Sequence, residues 1–208
     1  MGGQRPQHLE QMRPSALLFD MDGTLTEPML DFPAIKAEMG IGTKPILEAL
    51  AEMNAAQRER AQAILHRHEE IAAANSTLNP GCEPLLHWIE SQRIPLALIT
   101  RNSRKSVDVV LKRHGLKIGV LVTRDDGIFK PDPQPLLLAC QRLGASTIAD
   151  AWMIGDGRYD VEAGLAAGMK TVWLSHGRIR DFSAHPWKTV SDLHELLNVL
   201  VATVSNGP

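Results

Sequence analysis

Cysteine is nearly absent: Cys82 and Cys140 are the only two in 208 residues. Two thiols build no disulfide framework and neither stands in a CxxC pattern, so a stapled secreted scaffold and a cysteine-held metal are excluded, and a reducing, cytoplasmic setting is expected. An excess of charge of either sign is also missing. Lys and Arg number 22 against 24 Asp and Glu, a net charge of −2, which argues against nucleic acid or an anionic membrane as partner. No apolar run approaches the roughly 18 residues of a membrane span. Residues 1–14 are polar, with Pro6 and Pro14 and no apolar stretch, so a signal peptide is not expected, and Pro6 stands where a myristoylation signal needs Ser or Thr. What remains, 44% hydrophobic and 22% charged residues, is ordinary globular material. At roughly 150 residues per domain, the length allows one sizeable domain, or one domain carrying a small insert.

Four short apolar runs each stop in a polar cluster. Ser15-Ala-Leu-Leu-Phe19 enters Asp20-Met-Asp22-Gly23-Thr24. Pro95-Leu-Ala-Leu-Ile99 enters Thr100-Arg101-Asn102-Ser103. Ile118-Gly-Val-Leu-Val122 leads through Asp125 and Asp126 to Lys130-Pro-Asp-Pro133. Ala151-Trp-Met-Ile154 enters Gly155-Asp156-Gly-Arg-Tyr-Asp160. A fifth run, Lys170 to Leu174, ends with little chemistry. Apolar runs without polar alternation suit strands buried on both faces of a parallel sheet. Helical patterns alternate with them: Glu83–Gln92, Ser103–His114, Pro135–Leu143 with Gly144 as stop, and Arg158–Ala167 before Gly168; a closing amphipathic helix follows Val190 with Leu193, Leu196, Leu197 and Leu200. The expected fold is therefore α/β, a doubly wound, Rossmann-like parallel sheet whose polar clusters meet in the crevice at the carboxyl ends of the strands.

Residues 27–79 break the alternation. They show no strand but two helical patterns, one from Pro45 with Ile46, Leu47, Leu50 and Met53, the other with Ala61, Ile64, Leu65, His68, Ile71 and Ala72 at helical spacing. We expect a small α-helical cap inserted after the first strand, over a core made of 15–26 and 80–208, with 1–14 as an N-terminal extension. The alternative is extra helices packed on the sheet edge.

The polar clusters carry the chemistry. Asp20 and Asp22, two apart at the end of an apolar strand, point the same way and are costly to bury without a cation or a proton. Gly23 lets the chain turn and offers amides to an anion, although Asp-Gly alone is a common turn pair. The Thr100 hydroxyl and the amides that follow can bond a phosphoryl oxygen, or merely cap a helix. Lys130, held in a stiff turn by the two prolines that follow it, Pro131 and Pro133, can offset clustered carboxylates and a phosphate. Asp156 can reach a hard cation, and Asp160, one helical turn on, can brace it or serve as a helix N-terminal acid. Gathered together, four aspartates against Mg²⁺ and Lys130 come to about −1, and a proton on Asp22 brings the set to neutrality.

This order of clusters, Asp20-Met-Asp-Gly-Thr, Thr100, Lys130 and Gly-Asp156 through Asp160, resembles the haloacid dehalogenase-like (HAD) hydrolase superfamily from about Ser15 to Leu174. The insert resembles the cap of its phosphoglycolate phosphatase-like branch. The resemblance implies a phosphatase in which Asp20 attacks phosphorus to give an aspartyl-phosphate and Asp22 serves as acid, then base. Mg²⁺ is held by Asp20, Asp156 and the backbone carbonyl of Asp22. Thr100 and Lys130 bind the phosphoryl oxygens, Lys130 also orients Asp20, and Asp160 supports the metal shell. Arg101-Asn102 departs from the branch, where Asn often follows the Thr directly. Asn102 is counted with the phosphate-binding residues, and Arg101 either extends the phosphate site or reaches the substrate's other end.

Three alternatives share parts of this pattern. A dehalogenase has no use for Asp22, because halide leaves without a proton. A phosphomutase keeps every core residue and excludes water. A phospho-accepting signalling module of the receiver type places its acceptor on a later strand than the acidic pair. Residues 27–79 hold five Lys/Arg against eight Asp/Glu, so the insert is no evident clamp for a second phosphate. The expected partner is a small phosphorylated metabolite: an acid, sugar or nucleotide.

Overall fold

The computed structural model describes residues 13–205. Most of the N-terminal extension expected over 1–14 lies outside them. Six parallel strands, β1 (Ala16–Phe19), β2 (Leu96–Ile99), β3 (Val120–Val122), β4 (Ala151–Gly155), β5 (Lys170–Leu174) and β6 (Lys188–Val190), form one sheet in the order β3-β2-β1-β4-β5-β6. The chain winds one way from β1 to β2 and β3 and the other way through β4 to β6, so a crevice opens beyond the carboxyl ends of β1 and β4.

Both faces of the sheet are covered, which explains why its strands read as unbroken apolar runs. Leu17 and Phe19 of β1 face one layer, helices α4 (Cys82–Ser91), α5 (Arg104–His114) and α8 (Leu193–Ser205), through Leu85, Ile89, Val107, Val110, Leu196 and Leu200. Ala16 and Leu18 face the other, α6 (Gln134–Leu143) and α7 (Arg158–Ala166), through Leu136, Ala139, Cys140 and Ala163. Both cysteines are free and buried. Among the described residues no helix is long and apolar enough to cross a membrane.

Between β1 and α4, where the sequence pattern suggests two helices, lie three: α1 (Phe32–Met39), α2 (Ile46–Glu52) and α3 (Ala55–Asn75). They share a small apolar cluster of Ile35, Ile46, Leu47, Leu50, Ala61 and Leu65, distinct from those of the sheet. The chain leaves and re-enters the sheet side by side, through an antiparallel bridge of Thr26 with Leu78. There Asn79 Nδ2 donates to Thr24 O and Thr26 O at 2.8 and 2.9 Å, tying the two connections together.

The expected stripe on α3 needs correction. Ala61, Leu65 and Ala72 are buried, but Ile71 is 57% exposed while Glu69 is 2% exposed. Helical spacing identified the element, and polar contacts outside it set its rotation.

Candidate active site

Each polar cluster is held where its strand ends. Asp20 continues β1, its amide donating to Ile154 O at 2.9 Å, and the Thr100 amide donates to Val122 O at 3.0 Å. Gly23 turns the chain at φ +78° and passes so near Asp156 that a Cβ there would lie 2.6 Å from its carboxyl carbon. A Cβ at Gly155 would lie 2.2 Å from the Asp160 carboxyl carbon, so that glycine makes room for the carboxylate.

Lys130 is the hub. Its side chain is buried, and Nζ donates to Asp20 Oδ1 at 2.6 Å, Asp160 Oδ1 at 2.6 Å and Ile99 O at 2.7 Å. Three acceptors satisfy its three protons, as burial of an ammonium requires. Burial alone would lower its pKa, but the Asp160 and Asp20 carboxylates hold it above the usual lysine range. Asp160 also accepts from the Gly157 amide through Oδ2 at 2.9 Å, so it caps α7 and pairs with Lys130 at once. One carboxylate oxygen from each of Asp20, Asp156 and Asp160 lies within 4.8 Å of the others.

Burial raises the Asp20 pKa well above the ordinary value; Lys130 opposes the rise, and Asp160, Asp156 and Asp22 add to it. Asp22 is pushed up to about 6, chiefly by loss of water, with a hydrogen bond from Asn102 Nδ2 to its Oδ2 pulling the other way. Asp156 is raised by burial against the hydrogen bond that it accepts from Arg178. The Thr100 hydroxyl is buried and accepts from the Asn102 amide at 3.2 Å. The structure thus brings Asp20, Asp22, Thr100, Asn102, Lys130, Asp156 and Asp160 to one crevice and gives the Asn102 side chain to Asp22.

The Arg101 guanidinium is engaged on several sides. Nη1 donates to Lys130 O, and Nη2 is chelated by both oxygens of Glu48 on α2, at 3.0 and 2.8 Å. Its carbon sits 4.9 Å from the Phe129 ring centroid and 4.5 Å from that of Tyr159. Arg101 is thus bound to a carboxylate of the inserted helices.

Three further groups were not recognised in the sequence. Arg178, in the loop after β5, donates through Nη2 to Asp156 Oδ2 at 2.9 Å, and His176 Nε2 lies 2.6 Å from Gly23 O. The run ending at Leu174 is therefore followed by site residues, contrary to expectation. Glu69 of α3 pairs with both terminal nitrogens of Arg124, the Nη2–Oε2 distance being 2.9 Å, and accepts from the hydroxyls of Ser103 and Ser106. Together the inserted helices and the strand ends line a cleft of about 530 Å³, with Ile46, Leu47, Leu65 and Glu69 on one side and Asp20, Asp22, Thr100 and Lys130 on the other.

Charge shows what the site still needs. Asp20, Asp156 and Asp160 face two cations, Lys130 and Arg178, and Asp22 adds a further negative charge once it releases its proton. A divalent cation offsets that excess, and the donors are all hard oxygens, so the residues fit Mg²⁺.

The comparisons agree with this architecture. Residues 30–168 match the family described as haloacid dehalogenase-like hydrolase. N-acetylmuramic acid 6-phosphate phosphatase from Pseudomonas aeruginosa is 33% identical, over 92% of this chain and 97% of that protein. Phosphoglycolate phosphatase from Pseudomonas putida is 32% identical, over 88% of this chain and 79% of its own. The crystal structure of a hydrolase from Pseudomonas syringae superposes with a TM-score of 0.75 at 25% identity, covering 90% of this chain and 98% of the other.

Proposed function

The chain belongs to the haloacid dehalogenase-like hydrolases, and from that premise we propose that it is a Mg²⁺-dependent phosphatase that hydrolyses a small phosphomonoester through an aspartyl-phosphate on Asp20. The observation that carries this reading is the burial of Lys130 between Asp20 and Asp160, with Asp156 close enough to share a cation with both.

An Asp20 oxygen forms a bond to phosphorus while the ester P–O bond breaks, and Asp22 passes its proton to the leaving alkoxide. Water then attacks the same phosphorus, Asp22 takes its proton, and the bond to Asp20 breaks as phosphate is freed. A pKa of about 6 lets Asp22 hold or release that proton near neutrality. Asn102 fixes its orientation through Oδ2. The Thr100 hydroxyl donates to a phosphoryl oxygen, and Lys130, its three protons held by Asp20, Asp160 and Ile99 O, offsets the phosphoryl charge from beside it. Asp20, Asp156 and the Asp22 carbonyl would hold Mg²⁺, with Asp160 behind them. The ion would neutralise charge on the phosphoryl group.

We assign the three inserted helices the role of a cap over the crevice, on the strength of their separate apolar cluster and the cleft that they share with the sheet. The two phosphatases named above point to a small phosphorylated metabolite as substrate.

The test is phosphate release from a metabolite panel, with and without Mg²⁺, for the native chain and Asp22→Asn. The variant is expected to lose on the order of 10²–10⁴ in rate on alkyl phosphates, the usual worth of positioned acid–base catalysis. It should lose less on p-nitrophenyl phosphate, whose leaving group departs without a proton. Equal losses on both would contradict the acid role.

The acid shifts also set a pH dependence. Raised folded-state values mean that the metal-free fold binds these protons more tightly than the unfolded chain does. Its stability therefore falls as pH rises from about 4, the ordinary carboxylate value, through the Asp22 value of about 6. Mg²⁺ competes with the same protons, so its stabilising shift in Tm should be small near about pH 5 and larger above about pH 7. Calorimetry across that range checks it, and no Mg²⁺ effect at any pH would count against the metal site.

A further inference from the structure

Arg101 is held in an unusual way for a residue beside a phosphate site. Phe129 and Tyr159 flank its guanidinium, and Nη1 is bound to the backbone carbonyl of Lys130, so the group is oriented before any ligand arrives. Its neighbours in the chain and through that hydrogen bond, Thr100 and Lys130, are the two residues assigned to the phosphoryl group. The other hydrogen bonds of the guanidinium among the described residues run from Nη2 to both oxygens of Glu48, from α2.

The two partners differ in how firmly they are fixed. The Arg101 side chain is 20% exposed and is immobilised by stacking, whereas that of Glu48 is 36% exposed and makes no other hydrogen bond among the described residues. The other charged tie from these helices at the cleft, Glu69 with Arg124, is buried and braced by two serine hydroxyls. Glu69 is built to stay, and Glu48 is free to leave. Replacing one carboxylate by another on Arg101 leaves the guanidinium satisfied and returns Glu48 to water, so the exchange avoids the cost of an unpaired buried cation. An uncharged group offers no such exchange.

Resting on the phosphatase reading above, we propose that Arg101 is the leaving-group subsite, that it takes a carboxylate carried by the phosphorylated substrate, and that Glu48 holds the place of that carboxylate until substrate displaces it. Arg101 then selects phosphorylated acids over alcohols and sugars of equal size, and Glu48 sets the threshold by competing for the same nitrogen.

The experiment is calorimetric binding of two probes that differ only at this end, 2-phosphoglycolate and 2-hydroxyethyl phosphate, to the full chain with Mg²⁺. The Asp20→Asn background prevents turnover. The carboxylate probe should bind more tightly, and adding Arg101→Ala should reduce that preference by on the order of 10–10²-fold, the range for loss of a charged hydrogen-bonding partner. Effects on phosphoryl binding cancel in the ratio. Adding Glu48→Gln, which keeps the shape and removes the competitor, should raise the preference a few-fold. A salt link that merely held α2 in place would leave the ratio unmoved in both variants. A preference near one, one that survives Arg101→Ala, one that Glu48→Gln fails to raise, or no binding of either probe would overturn the proposal. Phosphate release by the native chain is read separately: its absence removes the phosphatase reading, while the binding ratio still judges the subsite.

Discussion

Asp20→Asn is expected to abolish turnover, with a loss of at least about 10⁴-fold on every phosphomonoester the native chain hydrolyses, whatever its leaving group. The amide keeps the size of the side chain but cannot add to phosphorus as a carboxylate does. The fold should survive, because Lys130 retains Asp160 at 2.6 Å and Ile99 O at 2.7 Å, and the unfavourable burial that raises the Asp20 pKa disappears with the charge. Steady-state rates beside a thermal melt separate the two effects. A folded variant with substantial activity would remove Asp20 from the reaction.

Lys130→Met should harm stability and activity together. Removing the ammonium leaves Asp20, Asp160 and Ile99 O without their shared donor in a buried site, and breaking such a pair costs on the order of 3–5 kcal/mol. A domain is stable by only about 5–15 kcal/mol, so a large fall in Tm is expected. The deficit has a definite pH dependence. Lys130 has a folded-state pKa raised above 10.5, so its contribution is complete at neutral pH and is lost only in strong alkali. In the variant, Asp20 loses the charge that opposes its proton uptake, so acidification relieves the strain. The gap between variant and native Tm should narrow toward about pH 5. A gap that widened on acidification would contradict the ion-pair account, as would a variant as stable as the native chain at neutral pH.

The strand-end clusters were legible in the sequence for a physical reason. A strand buried on both faces needs an unbroken apolar run, so a carboxylate pair or a Gly-Asp stop at its end stands out, and parallel winding brings those ends together. Asp20, Asp22, Thr100, Lys130, Asp156 and Asp160 could be grouped from local patterns alone. Glu69 could not be. It sits within an apolar spacing that includes Ile71, and what buries it, Arg124 with Ser103 and Ser106, lies 34 to 55 residues away. Glu48 and Arg101 are likewise 53 residues apart, so the pairing is invisible until the helices pack. Helix α1 did leave signs, an Asp31 cap bonded to the Ala34 amide and Gly40 in left-handed geometry at its end, but eight residues with Ile35 alone buried make a faint apolar pattern. Strand β6, three residues on the sheet edge with two exposed, had no pattern to read. Arg178 was missed because the loop after β5 holds no carboxylate near the strand end; its counter-charge is Asp156, on the neighbouring strand's loop.

The proposed reaction requires Asp20 to become the phosphorylated residue. Acid quench during steady turnover, followed by borohydride reduction and mass spectrometry of the peptide spanning Phe19 to Thr26, reads this directly, because reduction of an aspartyl-phosphate leaves homoserine at the modified position. Homoserine is expected at residue 20, none at residue 22, and none when substrate is withheld. Homoserine at any other aspartate, or an unmodified residue 20 in enzyme shown by rapid quench to be covalently phosphorylated, would contradict it.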